Sequence, residues 1–509
     1  MIRFRHRALV CSSLLFAALI CHVRAQSIGL PWSGHGHDAQ HTGLSQVSSK
    51  AMQRILWQMP VDLAPQYVGT TLYAHYGSPV VTRQNTVIVP VKTGAGDGFR
   101  IEAHDGATGG TKWQMGTGYT LPAHNWVPHY GVALTPKNRV CFADAGGTVS
   151  YRDAPDAGTG GTGKMVFYGM ASYVSDSATF DANVRINTPI TTDRYGNLFF
   201  GFVVTGVTNP ALQSGIARIA EDGTGSWVSA SSAADDGSIL RLPHNLAPAL
   251  SNDHKSLYFA VMDGNGFGYL LMLDSRTLQT TGKVRLKDVL SPVDDARMLD
   301  DGTASPMVGP DGDVYFGVFE HSWGVNHYRG WLRHYDKTLT QAKVSGAFGW
   351  DHTPSVVPAS LVASYQGTSK YLLLSKYNNY AGVGGDGHNK LAVLDPNDTQ
   401  ADGVTGATVM KEILTVLGPT PDDEYASVPG AVREWCVNTV AIDAAKKSAI
   451  VHSEDGKVYR WDFKTNSLIE PLTLTPGIGE AYTPSVIGVD GTVYVIANAV
   501  LFAIGEAVP

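Results

Sequence analysis

Ionisable and aromatic side chains gather at one recurring place in this sequence, just ahead of a small-polar/proline step. In chain order they are Tyr76; His129 and Tyr130; Arg185 with Asn187; His244 with Asn245; Thr303; Asp351 and His352; Arg433, Glu434 and Trp435; and Glu480 with Tyr482. Only 16% of the chain is charged, so this set stands out. The residue types suit binding or acid–base work. Asp351, Glu434 and Glu480 offer the several oxygens that a hard cation such as Ca²⁺ takes. They can equally pair with Arg433 and Arg185. His129, His244 and His352 can exchange protons near neutral pH. As a transition-metal trio they would lie on opposite sides of a ring, too far apart to share an ion.

What must position these residues is a repeat. Its openings include Gly77-Ser78-Pro79, Asn187-Thr188-Pro189, Leu246-Ala247-Pro248, Ala304-Ser305-Pro306, His352-Thr353-Pro354 and Tyr482-Thr483-Pro484, with weaker copies near Gly131 and Val437. Each leads into an apolar strand, a Gly/Asp/Asn turn and further β-rich strands. Turns such as Pro310-Asp311-Gly312-Asp313 and Glu454-Asp455-Gly456-Lys457 carry hairpin residues. The spacing is mostly about 45–60 residues, the range of propeller blades. The expected fold is all-β: an eight-bladed propeller of four-stranded blades, or seven if a weak copy is incomplete. Ile55-Leu56-Trp57-Gln58 is expected as the outermost strand of the last blade, closing the ring and hiding both sheet edges. Residues just before each proline step then converge on one rim. There they either cap strand ends or form a ligand site in a concave mouth.

The bulk numbers narrow the class. Arg3, Arg5 and Arg7, the apolar run Ala8 to Ile20 and Val23-Arg24-Ala25 read as a secretory signal over residues 1–25, cut near Ala25, placing the product in the periplasm or outside the cell. Cys21 as a lipidated residue fits poorly, because Ile20 precedes it. Residues 26–54 form a polar lead-in, with a helical turn near Ser48 to Arg54, and 55–509 form one propeller domain. The formal charge is −7, about −11 once the leader's four arginines are gone, and no basic run survives. Nucleic acid and anionic membrane are therefore not expected partners. The mature chain, expected as a monomer with no transmembrane segment, keeps Cys141 and Cys436 in distant repeats, as two buried small hydrophobes.

One segment carries a resemblance. Ala103-His104-Asp105-Gly106-Ala107-Thr108-Gly109-Gly110-Thr111-Lys112-Trp113 resembles the tryptophan-docking motif, A-x-D-x-x-T-G-x-x-x-W, of the pyrroloquinoline-quinone-like (PQQ-like) propeller family. Asp would take hydrogen bonds from the following turn, Gly would permit the turn, and Trp would pack on the neighbouring blade. Leu273-Asp274, Tyr335-Asp336, Leu394-Asp395 and Trp461-Asp462 keep fragments, and the lead-in from Trp32 to Gly43 is similar to the segment before the first blade in exported members. The resemblance implies three kinds of role: quinoprotein dehydrogenases using PQQ and Ca²⁺, an outer-membrane assembly scaffold, and binding proteins. The chain lacks the adjacent cysteine pair of the dehydrogenases and any C-x-x-C-H haem attachment.

The resulting expectation is a binding or scaffold protein whose channel mouth takes a small polar molecule, a glycan or an envelope protein. Its ligand-binding residues would be Tyr76, His129, Tyr130, Arg185, His244, Asp351, His352, Arg433, Glu434 and Glu480. As an enzyme it would instead be a PQQ-dependent alcohol or sugar dehydrogenase with Asp351 or Glu434 as base and His352 assisting. Other segments are expected to matter less. The loop His321 to Trp331 can contact sugar or peptide or simply pack; Tyr377 to Asn389 reads as a turn, with a Ca²⁺ option at Asp386 and Asn389. His35, His37, Asp38 and His41 have metal-ligand types but are expected to pack the lead-in, and 396–436 reads as a long surface excursion.

Overall fold

The computed structural model describes residues 30–477 and 484–507. The leader, Glu480 and Tyr482 lie outside them. Eight antiparallel sheets follow one another along the chain as the blades of a propeller, each with its first strand innermost. The first blade is Val80–Val81, Thr86–Lys92, Phe99–Asp105 and Thr111–Gly116. Both weak repeats are complete, over Val132–Met165 and Ala441–Thr473. In the fifth blade the outer strand is reduced to isolated bridges, Tyr335 to Ala342 and Leu332 to Gly346. Arg54–Pro60 pairs antiparallel with Val500–Gly505, so the N-terminal strand does close the last blade.

The proline step has a local reason. An inner strand leaves N–H groups facing its neighbour rather than a partner strand, and buried donors must be satisfied. Hydroxyls flanking the prolines do this between blades: Ala247 N donates to Ser305 Oγ at 2.9 Å, Ser305 N to Thr353 Oγ1 at 2.9 Å, and Val440 N to Ser355 Oγ at 3.0 Å. Proline needs no such donor itself.

The docking motif behaves as its chemistry requires. Asp105 Oδ1 accepts from Ala107 N, Thr108 N and the Thr108 hydroxyl. Trp113 is buried, donates its indole N–H to the Pro155 carbonyl of the next blade at 2.7 Å, and carries the Arg152 guanidinium on its face. Trp57 of the closing strand repeats the contact one blade earlier, with its indole N–H on Gly106 O at 3.0 Å. Gly109, at φ +73°, leaves room for that indole; a Cβ there would sit 2.7 Å from it.

The lead-in is the largest departure from expectation. It has no helical turn near 48–54. Instead it runs along the inner strands and bonds to them in order: Trp32 with Val81, Ser33 O with Leu134 N, Ala39 O with Leu250 N, Gln40 O with Val308 N, Thr42 O with Val356 N, Gly43 O with Ile442 N, and Lys50 N with Gly491 O. Leu44–Ser45 adds a parallel strand to the seventh blade. The segment therefore ties seven blades together from the inside, a role with no periodic signature. The stretch 396–436 also departs. Its first half belongs to the long outer strands Lys390–Ala401 and Thr408–Leu417, and only 418–436 is loop.

Candidate functional site

On the face where the inner strands begin lies a cavity of about 530 Å³. It is lined by His75, Trp126, Leu299, Asp300, Asp301, Trp323, Tyr328, Trp350, Asp351, Tyr380, Gly382, Val383, Tyr425 and Glu434. These come from the segments entering blades one, two, five, six and seven and from the outer loops of blades five and six. The segment before the second blade spans the mouth. Asn125 Nδ2 donates to Asp301 Oδ2 at 3.1 Å, and the Ala123 carbonyl lies 3.1 Å from His244 Nε2. The lead-in fills the channel beneath.

Aromatic side chains form one wall. Trp126 stacks with Tyr73 and with His75, at centroid separations of 4.6 and 5.0 Å. Trp350 fixes its indole by donating to the Tyr328 carbonyl at 2.5 Å. Trp323, 56% exposed, tilts over Phe319 and meets Tyr328 edge-on. The loop carrying Trp323 and Tyr328 is organised by the buried carboxylate of Glu320, which accepts from the N–H groups of Gly324, Asn326, Tyr328 and Gly330. The aromatic loop 321–331 thus divides: Trp323 and Tyr328 face the cavity, while Trp331 is core.

The acidic wall is mostly neutralised from behind. Asp351 Oδ2 meets Lys376 Nζ at 2.7 Å, and its Oδ1 accepts from Thr303 Oγ1 at 3.0 Å. Burial pushes the Asp351 carboxyl up, while the Lys376 ammonium and the Thr303 hydroxyl pull the other way. Asp300 is held in a two-pronged pair by Arg241. Burial, with the nearby Glu454 carboxylate, holds Glu434 well above the usual carboxylate range. Burial keeps His75 neutral, down to about 4. The Tyr380 hydroxyl lies beside Asn378, Glu434 and Asp351 but meets no group at hydrogen-bonding geometry among the described residues.

Below His75 the channel holds more imidazoles. His35 lies 5.1 Å from His41 and 5.5 Å from His129, centroid to centroid, and neither of its ring nitrogens has a partner among the described residues. His37 turns instead to Asp38 and Trp32. Among the described residues no three His, Cys, Asp or Glu side chains converge to hold a metal ion.

Of the residues expected at the rim, Asp351 and Glu434 line the cavity. Glu480 lies outside the described residues, and the others go elsewhere. Tyr76 donates to Asp62, which pairs with buried Lys92. Tyr130 is core, bonded to the Ala143 carbonyl, and His129 sits in the channel. Arg185 donates to Thr120 and the Ala182 carbonyl; His244 bonds across to Ala123. His352 lies buried with Nε2 3.2 Å from the Leu374 carbonyl, not against the cavity. Neither expected arginine neutralises the site carboxylates: Arg433 pairs with Asp422, Asp423 and Glu424 in its own loop, and the cation at Asp351 is Lys376. Asp386 and Asn389 form the expected turn, accepting from His388 N and Asn379 N. Sequence reasoning missed His75, Trp126, Asp301 and Trp350, which sit one to three residues upstream of the residues it chose. It also missed Lys376, signalled only by a charge inside the apolar run Tyr371–Tyr377.

No protein-family model matches the chain, and no curated protein matches it. Solved structures do. A europium-containing methanol dehydrogenase is 11% identical with a TM-score of 0.55, covering 92% of this chain and 89% of its own. A quinohemoprotein alcohol dehydrogenase from Comamonas testosteroni is 12% identical at 0.52, over 95% and 82%. Sqt1 from Saccharomyces cerevisiae is 10% identical at 0.51, over 91% and 100%. At these identities the likeness establishes a shared β-propeller fold and no more.

Proposed function

We propose that this chain is an exported member of the PQQ-like propeller group that works as a binding protein, taking a small ring-bearing polar molecule of saccharide size at its channel mouth. One observation carries the reading: a 530 Å³ cavity in which three indoles face carboxyl and phenol groups. Flat aromatic faces cover the apolar side of a sugar ring, and fixed polar groups orient its hydroxyls. Tyr380, whose hydroxyl has no hydrogen-bond partner among the described residues, and Glu434, biased toward its neutral donor form, are the polar groups at that wall.

The quinone chemistry that the family resemblance implies does not suit this cavity. PQQ carries three carboxylates, yet no Lys or Arg lines the cavity and four acidic residues do. The Ca²⁺ of the dehydrogenase pattern meets the same difficulty: Asp351 already has Lys376 as its cation, and no donor trio converges among the described residues. The residues present therefore do not fit PQQ, and no reaction step is routed through it.

The test is a tryptophan-fluorescence titration with D-glucose, comparing the wild-type chain with Trp350→Ala and Glu434→Ala. A stacked indole contributes on the order of 1 kcal/mol and a hydrogen bond about as much, so each variant is expected to bind about fivefold more weakly. Unchanged binding in both would remove the cavity as the site.

A further inference from the structure

We infer that the ligand of this cavity is an organic cation, its ammonium group held over the indoles and against Asp301. This rests on the cavity being the binding site. Asp300 is neutralised by Arg241 and Asp351 by Lys376, each through a direct ion pair. Asp301 has no basic side chain within ion-pair distance among the described residues; its oxygens take only the Asn125 amide at 3.1 Å and, at 3.4 Å, the Trp126 N–H. Two neutral donors leave its charge without a cation to balance it. The surplus is therefore negative, and no Lys or Arg lines the cavity to correct it.

The aromatic wall selects the same sign. A cation within about 6 Å of an indole face is attracted by the ring quadrupole. Trp126 and Asp301 line the same cavity, and the Trp126 backbone N–H lies 3.4 Å from Asp301 Oδ1. An anion would face both the carboxylate and the negative faces of the rings. The volume exceeds what a bare ammonium fills, which leaves space for a hydroxylated ring. An amino sugar combines the two.

The experiment is isothermal titration of the full chain with D-glucosamine, D-glucose and choline, in wild type and Asp301→Asn, with melting curves for both proteins. Glucosamine is expected to bind at least about tenfold more tightly than glucose, the scale of one desolvated cation–π contact. Asp301→Asn is expected to weaken glucosamine and choline about tenfold more than it weakens glucose, with the melting curve unchanged. Equal affinity for glucosamine and glucose, or equal loss for both in the variant, would overturn the charge selection and leave the cavity reading standing. No binding of any of the three would overturn both.

Discussion

Mild acid should unfold this protein, and the buried imidazoles set the size of the effect. Six of them, His35, His41, His75, His129, His244 and His352, are held by burial below the ordinary histidine range, His41 and His75 to about 4, His129 and His352 to about 3. In the unfolded chain each takes a proton near about 6.5. Between these limits the unfolded state binds more protons, so stability is complete above about pH 6.5 and falls as pH drops toward about 4. Three buried carboxyls, Glu320, Asp351 and Glu434, act oppositely: raised when folded, they take their protons first in the native state. The balance is about three protons, or roughly 4 kcal/mol lost per pH unit. Against a total stability of about 5–15 kcal/mol, that slope places the acid midpoint between about pH 5 and pH 3. Urea unfolding followed by tryptophan fluorescence at pH 7, 6 and 5 reads this as a steep fall in midpoint. His352→Gln, which keeps a donor toward Leu374 O, should flatten the slope by about 1 kcal/mol per unit. A urea midpoint that is flat from pH 7 to 5 would refute the reasoning.

Other outcomes follow from single contacts. Lys376→Met strands Asp351 without its cation and should cost about 3–5 kcal/mol in urea unfolding, most of it recovered when Asp351→Asn is added. Trp113→Ala empties the dock between the first two blades and should cost about 3–5 kcal/mol by the same measurement. Deleting residues 30–50 removes the inner tie to seven blades, and limited proteolysis should then cut the inner strands that resist it in the full chain. Cys141 and Cys436 are buried and free of disulfides, and burial pushes the Cys141 thiol up to about 12, so neither should react with a thiol reagent before unfolding.

The propeller was legible because its signal is repeated: a proline step whose hydroxyls serve the neighbouring blade, and turns with hairpin residues. Trp113 was legible because its motif is local. The site was read less well. Residues at the strand starts, such as Tyr130 and His352, point between blades into the core, whereas the cavity takes side chains one to three positions earlier. Arg433 looked like a counter-ion for Glu434, but the bridge between Pro421 and Val432 folds its loop back and brings it to Asp422. The segment 121–127 reaches Asp301 from the far side of the ring, a contact between distant, irregular segments that no spacing announces.

The claim at the centre is that the channel mouth holds the ligand. A diffraction experiment on crystals soaked with D-glucosamine tests it most directly. A sugar ring is expected between Trp126 and Trp350 with its ammonium group at Asp301. An empty mouth, with the sugar bound elsewhere or nowhere, would contradict it.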